Sequence, residues 1–301
     1  HSEGGRMSVA SANAERNFVS LLRFEGVKLW GRQVSWVPFV VLTLVVILIV
    51  IVFHKLEFKH TLALFQSAQL GLTSKSQFIN GYYLAAHAMN PAFHMLIPIF
   101  ITVAGGLMVA GEAEAGTLRA CLVRPVSRGQ LLLSKFCWLA IYALALSFFY
   151  LALLIALGVV NFGIGNLYTL NFIFHNGQQG VSTIPVEEVP IRFVCAGLIA
   201  SAGMMVLASL ALLISALLES AAMSYIITLS IYFVELILYA FPGFDWLYPY
   251  LFVSHMNRWQ QCFYEHMKVG DIYVSLVHLA AYLIVFLSTA MALFKERDIH
   301  S

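Results

Sequence analysis

Residues 34–53 read VSWVPFVVLTLVVILIVIVF, a run that contains no Asp, Glu, Lys or Arg. A helix needs about 20 apolar residues to cross the hydrocarbon core of a bilayer, because every backbone polar group must find its partner within the segment. The run has that length and that composition. It predicts a membrane-spanning helix, so the fold has to be argued for a bilayer and not for water.

Five further stretches have the same character and cover residues 92–111, 136–160, 191–217, 221–241 and 271–294. The whole chain agrees with them, since 60% of its 301 residues are hydrophobic, 11% are charged and the mean hydropathy is +0.84. A soluble domain of this size could not bury so much apolar surface. The sequence therefore predicts an all-α polytopic membrane protein with six transmembrane helices.

Charge and cysteine content exclude several classes of protein. A formal net charge of +2 is too small to indicate a nucleic-acid partner. The four cysteines form no CxxC pair and predict no disulfide framework. No GxxxxGK[ST] phosphate-binding loop occurs, because the Lys75-Ser76 pair has Ser74 in place of the required glycine. We therefore expect no ATP site and no other cofactor in this chain.

Lys and Arg residues predict the orientation, because positive residues are retained on the cytoplasmic side. Six spans place both termini on one side, together with the 112–135 loop. That side carries the larger group, Arg16, Arg23, Lys28, Arg32, Arg119, Arg124, Arg128, Lys135, Lys295 and Arg297. We expect an integral protein of the plasma (inner) membrane with both termini in the cytoplasm.

The segments outside the spans differ in character. Residues 1–6 resemble the remnant of an expression tag. Residues 7–33 predict an amphipathic helix under the inner leaflet whose apolar arc is interrupted by Glu25, and residues 295–301 form a short cytoplasmic tail that follows the 34–294 transmembrane domain.

Three outer loops complete the predicted domain organisation. Residues 54–91 predict a short helix that ends at Asn90-Pro91. Residues 161–190 are rich in turn formers and predict an irregular loop. Residues 242–270 are too polar to span and rich in aromatic residues, so we expect them to fold back into the outer interface.

The loop after the second span carries the functional signal. Glu112 and Glu114 open a predicted short helix, where the positive end of the helix dipole favours acids, and residues 117–123 continue it. Arg124-Pro125 stops this helix, and Arg128 starts the next one. A rigid helix outside the bilayer, flanked by charges, can transmit movement from a partner protein.

The string from Glu112 through Lys135 resembles the intracellular loop of ABC-2 type transporter permeases, with its acid, Gly-Thr-Leu, Arg-Pro and Lys at the membrane entry. The layout of the whole chain is similar to that family's type V-like exporter architecture. The resemblance implies that residues 112–130 form a coupling helix that docks on an ATPase subunit. The residues that would carry this contact are Glu112, Glu114, Gly116, Thr117, Leu118, Arg119, Arg124, Pro125 and Arg128.

The resemblance also implies the partners. This chain would be a non-catalytic permease subunit, a separate ATPase would bind ATP and Mg²⁺, and a second permease copy would complete a homodimer. The other interpretation of the loop is a cytoplasmic connection whose positive residues only fix the topology.

Glu235 lies within the fifth predicted span, where a charged side chain costs about 2.5 to 3.5 kcal/mol at the bilayer centre. Two interpretations stand side by side. The carboxyl group lines a translocation path between two permease copies, or it is hydrogen-bonded to a neighbouring span near the outer boundary.

Rival functions rest on weaker patterns. A secondary transporter or channel also fits six spans, although the spans carry few charges beyond Glu235 and His278. Residues 187–192 match the EExxxR string of CAAX-protease-like enzymes, but the later FxxH strings are one residue short of the FxxxH motif which that family requires. Neighbouring His and Met residues near the outer side would suit copper, but their spacing does not repeat, and we expect no metal site.

Overall fold

A computed structural model describes residues 18–55, 78–117, 127–171 and 180–296. Helix α1 covers residues 18–31, and a 3-10 turn at Gln33–Ser35 leads into the long helices. The helices that follow are α2 (Val37–Lys55), α3 (Gly81–Met108), α4 (Ala110–Glu114), α5 (Arg128–Phe162), α6 (Val189–Leu217), α7 (Ala221–Ala240), α8 (Phe252–Met256) and α9 (Val269–Glu296). Six of these described helices are long and apolar enough to cross a membrane, which confirms the predicted fold class.

The second span begins earlier than the sequence predicted. Asn80 caps α3 by accepting a hydrogen bond from the backbone N–H of Tyr83, and the helix runs on through Pro91. A π-helical turn at Ala92–Leu96 absorbs the proline, and the His94 ring bonds the carbonyl of Asn90. The predicted break at Asn90-Pro91 is therefore wrong, because a local side chain and a changed helical turn satisfy the backbone there. The helix predicted earlier in the 54–91 loop lies largely outside the described residues.

Helix α6 forms the centre of the bundle, and small residues let its neighbours approach closely. A Cβ atom on Gly105 of α3 would lie 2.4 Å from the Cβ of Ala211. A Cβ on Gly203 would lie 2.6 Å from the Met256 side chain. Both distances are far below van der Waals contact, so glycine is required where α3 and α8 pack on α6.

The 161–190 segment contains a β-hairpin, which corrects the prediction of an irregular loop. Strands β1 (Leu167–Asn171) and β2 (Gly180–Ile184) pair antiparallel, with Leu167 opposite Ile184. Both of these side chains are fully buried. The turn formers flank two short strands, and burial at the base of the hairpin overrides the local preference for loop.

The aromatic segment 242–270 packs on the end of the bundle that the sequence predicts to face outward, as a 3-10 helix at Asp245–Tyr250, helix α8 and a second 3-10 helix at Asn257–Phe263. Phe263 contacts the Phe193 ring of α6 with ring centroids 4.9 Å apart. Thr169 of β1 donates a hydrogen bond to the carbonyl of Phe263 at 2.9 Å. We call residues 245–263 the outer segment.

Candidate functional site

Helix α1 docks along the first turns of α5. Leu21, Glu25 and Leu29 are spaced by four residues and are all buried, so they form one face of α1. Gly26 brings the two helices together, because a Cβ there would lie 2.2 Å from the Trp138 ring. The Trp138 indole N–H donates a 2.6 Å hydrogen bond to the carbonyl of Leu22. Helix α1 is thus a packed part of the protein.

A buried cluster of charges joins α1, α4 and α5. The ammonium group of Lys135 donates to Glu25 Oε2 at 2.8 Å and to Glu112 Oε1 at 2.7 Å. Lys28 reaches the same Glu112 oxygen at 2.6 Å, and the Arg32 guanidinium lies 3.8 Å from it. We call Glu25, Lys28, Glu112 and Lys135 the inner charge cluster.

The inner charge cluster is excluded from solvent at its centre. The side chains of Lys135, Glu112 and Glu25 are 0%, 1% and 2% exposed. Burial alone would raise the pKa of Glu112, but the ion pairs and hydrogen bonds with Lys135 and Lys28 outweigh it and lower that pKa. Among the described residues, Glu25 Oε1 has no hydrogen-bond partner. The cluster is therefore stable only while its charges stay paired.

Ser215 of α6 supports the short helix α4 where it leaves the membrane span. The chain kinks at Val109 between α3 and α4, with φ −118° and ψ −56°. The Ser215 hydroxyl accepts hydrogen bonds from the N–H groups of Val109 and Ala110 at 3.2 and 2.8 Å and donates one to the carbonyl of Gly106 at 3.0 Å. These three bonds satisfy backbone groups that the kink frees.

Helix α4 ends at Glu114 and is closed by Gly116, so Thr117 does not continue it as predicted. The rest of the predicted 117–123 extension lies outside the described residues. Gly116 has φ +67°, and its N–H bonds the carbonyl of Ala113. The N–H of Thr117 bonds the carbonyl of Glu112 at 2.9 Å. This pair of bonds is a Schellman motif, in which a left-handed glycine closes a helix. Leu118, Arg119, Arg124 and Pro125 lie outside the described residues.

The structure separates the two glutamates that the sequence placed together. Glu112 points into the protein, so it cannot contribute an exposed charge to a partner as predicted. Glu114 is exposed, and its Oε2 accepts a 3.0 Å hydrogen bond from the N–H of Ala221, the first residue of α7. A carboxylate is favoured there by the unpaired amides at a helix start.

Arg128 starts α5 behind a capping box formed by Ser127 and Gln130. Its guanidinium donates to the carbonyls of Phe294 and Lys295 at 3.4 and 3.1 Å, at the end of α9. Arg128 therefore satisfies carbonyls at a helix end, where a cation is favoured. Glu114, Gly116 and Thr117 are the exposed members of the predicted set on the described part of this loop.

Sequence reasoning missed the partners of Glu112. Glu25 interrupts the apolar arc of α1 because it turns toward Lys135, and a charge on the buried face of an amphipathic helix is the signal that could have found the pair. Nothing in the spacing of Ser215 indicated its role. Its three bonds depend on the packing of α6 against the kink.

Glu235 bonds the outer segment and not a neighbouring span, which corrects the second of its two predicted environments. Its Oε2 accepts a hydrogen bond from the N–H of Val253 in α8 at 3.3 Å. The carboxyl group thus joins α7 to the outer segment. A position on a translocation path stays a prediction.

The protease-like string does not assemble a catalytic site in the structure. Pro190 stands in the first turn of α6, where its missing N–H costs no hydrogen bond. Arg192 pairs with Glu188 at 2.7 Å and donates to the carbonyls of Cys262, Tyr264 and Glu265 at 2.5 to 3.3 Å. These residues attach the outer segment to α6.

Histidines of the outer half also bond within the protein. The rings of His255 and His278 stack with centroids 4.4 Å apart and an 8° angle between planes. Within the part of the chain that the structure describes, no three His, Cys, Asp or Glu side chains are grouped so that they could hold a metal ion.

Comparison with known proteins gives a family match and a similar protein. A family model described as "ABC-2 family transporter protein" matches residues 32–299. A similar protein is the "Uncharacterized protein YhcI" of Bacillus subtilis (strain 168), which is 26% identical over 225 residues, covering 73% of this chain and 70% of the relative.

Proposed function

The chain belongs to the ABC-2 family of transporter proteins and is a membrane permease component of an ABC transporter, and we propose that it couples ATP hydrolysis by a separate ATPase subunit to export. The sequence supports the division of labour, because it contains no phosphate-binding loop. The ATPase partner would bind ATP and Mg²⁺. Its contact with the permease would include the exposed turn at Gly116 and Thr117 and the residues that follow.

The observation that carries the proposal is the inner charge cluster. Through it, α4 is fixed to α1 by Lys28 and to α5 by Lys135, over distances of 2.6 and 2.7 Å. A displacement of α4 would move the three helices together, because separating the buried charges is expensive. A rigid connection of this kind can carry movement at the cytoplasmic surface into the spans.

Orientation and assembly follow from the same proposal. The α4 side of the membrane is the cytoplasmic side, so both termini are cytoplasmic. ATP sites of this family form between two ATPase subunits, and we infer that two permease copies assemble as a symmetric homodimer above them. Substrate would move outward between the copies, and Glu235 in α7 is a candidate residue on that path.

The test is co-purification followed by site-specific crosslinking. The full chain, tagged and extracted from host membranes in mild detergent, should bring down a protein that has a phosphate-binding loop and ATP turnover. A photoreactive residue in place of Thr117 should crosslink to that protein. The matched control replaces Ile164, which is 65% exposed and lies beyond the other end of α5.

The outcomes are distinct. Crosslinking at position 117 and its absence at position 164 are expected. Equal crosslinking at both positions, or purification without any ATPase, contradicts the proposal. Charge reversal at Glu112 is unsuitable for this test, because its side chain is buried in the inner charge cluster and reversal would destabilise the permease itself.

A further inference from the structure

We propose that α7 carries movement from the exposed turn at Gly116 and Thr117 to the outer segment, and that Glu114 and Glu235 connect it to these two regions. We call α7 with these two contacts the link. The two glutamates act as positioning residues, one at each end of the link. The inference rests on the proposed function, since the movement it transmits starts at the ATPase contact.

The inner end of the link is the contact between α4 and α7. Glu114 is the last residue of α4, and its carboxylate accepts a 3.0 Å hydrogen bond from the N–H of Ala221. The covalent path from α4 to α7 passes through α5 and α6, so this hydrogen bond is a direct connection between distant parts of the chain. Ala221 is itself buried against α3, where the space beside Gly106 is filled by the Ala221 carbonyl and Tyr225.

The outer end of the link lies 14 residues later on the same helix, about 21 Å along its axis. There the Glu235 carboxyl group accepts a hydrogen bond from the N–H of Val253, the second residue of α8. The Tyr282 hydroxyl of α9 donates to the carbonyl of Tyr250 at 2.7 Å, next to this contact. The start of α8 is thus held between α7 and α9.

Helix α7 is suited to act as a rigid rod. It contains neither Gly nor Pro over its 20 residues. A narrow stripe along one side is buried, formed by Ala221, Ser224, Thr228 and Tyr232, while several residues on its other sides are exposed. The polar contacts at its two ends add to the packing of this stripe.

Helix α3, which is covalently joined to α4, is a poorer transmitter. It contains Pro91, a π-helical turn and the Gly105-Gly106 pair, and it ends in the kink at Val109. Helices bend at such positions, so a displacement at α4 would be absorbed along α3. The Tyr232 hydroxyl of α7 bonds the carbonyl of His94 in the π-helical turn at 3.0 Å, so α7 also steadies this flexible part.

The experiment measures the outer segment while nucleotide changes at the inner end. The permease with its ATPase is reconstituted in proteoliposomes, the native cysteines are replaced by alanine, and a cysteine replaces Trp246, which is 68% exposed. The labelling rate with a membrane-impermeant maleimide is compared between ADP and a non-hydrolysable ATP analogue. The expected ratio is about fivefold or more, the lower end of ordinary coupling between two sites.

Substitutions distinguish a specific loss of the link from a general loss of structure. Glu235→Ala should bring the ratio close to one while the ATPase still co-purifies and turns over ATP. Glu114→Ala should bring the ratio close to one in the fraction of the permease that retains its ATPase. Glu114→Gln and Glu235→Gln keep an acceptor oxygen and should retain most of the response. If an alanine variant fails to fold, Glu114→Asp or Glu235→Asp keeps the carboxyl group on a shorter side chain and should lower the ratio. Glu296→Ala at the inner side and Asp271→Ala at the outer side remove exposed carboxylates and should change nothing.

The failure of this inference differs from failure of the proposed function. If the parent protein binds an ATPase and responds to nucleotide, but both alanine variants respond equally, the link is wrong and the coupling proposal stands. If only one of the two glutamates matters, α7 is not the connection and the link is also wrong. A parent protein that binds no ATPase contradicts the proposed function, and the link with it.

Discussion

The two ends of the bundle are held together by different chemistry. At the inner end, Glu25, Lys28, Glu112 and Lys135 form a cluster of paired charges that joins α1, α4 and α5. At the outer end, side chains mostly bond backbone groups. Asn80 donates to the carbonyl of Asn166 at 2.7 Å, and the Thr169 and Tyr282 hydroxyls donate to carbonyls of the outer segment.

This difference predicts how each end should respond to amino-acid substitution. A buried charge that loses its partner keeps the full cost of desolvation, so members of the inner cluster depend on each other. Separate hydrogen bonds to backbone carbonyls contribute nearly independently when they share no partner. We therefore expect the inner end to respond to substitution as one unit and the outer end in small steps.

The largest effect is expected for Lys135→Met. It leaves the carboxylates of Glu25 and Glu112 buried without their shared cation, and removing one partner of a buried pair costs about 3 to 5 kcal/mol. Thermal unfolding of the detergent-solubilised protein should show a large drop in melting temperature. Lys55→Met, at the exposed end of α2, is the matched control and should have little effect. Equal melting temperatures of the two variants would contradict the proposed difference between the two ends of the bundle.

Acid should weaken the inner end selectively. The pKa of Glu112 lies below its ordinary value of 4.5, because Lys135 and Lys28 outweigh the effect of burial. A carboxyl group with a lowered folded pKa contributes stability above its unfolded pKa, and this contribution is lost as the pH falls through the folded pKa. The melting temperature should fall as the pH drops below about 4.5, and Glu112→Gln should flatten that dependence. A variant that follows the parent curve would show that Glu112 is not the titrating group.

A smaller loss is expected for Arg192→Met at the outer end. The substitution removes hydrogen bonds from a charged donor to the carbonyls of Cys262, Tyr264 and Glu265, and such bonds contribute about 1.5 to 3 kcal/mol. The side chain is 12% exposed, so water can replace part of this contribution. Proteolysis of the outer segment should speed up before global unfolding changes. Arg23→Met on the exposed side of α1 serves as the control. Faster cleavage of the outer segment in this control would contradict the role given to Arg192.

The smallest effect is expected for Asn80→Ala. The change removes the cap of α3, which costs about 1 kcal/mol at a typical helix start, together with the hydrogen bond to Asn166. Hydrogen exchange at the amides of the first turn of α3 should rise while the rest of the bundle stays protected. Asn161→Ala removes an exposed side chain that bonds the Leu157 carbonyl of its own helix and lies 3.4 Å from the His54 ring, and it gives the baseline for comparison.

The spans could be predicted closely, whereas the candidate site could be predicted only in part. Residues 34–53 predict a membrane-spanning helix, because length and apolarity are local properties of the sequence. The start of α3 at Gly81 was missed, because Pro91 is tolerated only with the π-helical turn and the His94 contact beside it. The hairpin was missed because turn formers dominate its sequence while its burial depends on neighbouring elements.

The sequence by itself determined that this is a membrane protein with six apolar helices, and it predicted a coupling segment in the loop after the second span. Only the tertiary structure decided which way each charge of that loop points. Glu112 turns inward to Lys135, 23 residues away, and Glu25 reaches the same ammonium across 110 residues. Glu114, two residues further, turns to α7. Hydrophobicity acts on each segment separately, but a charge in a low-dielectric interior is stable only beside its partner, and the packing of distant helices decides which partner that is.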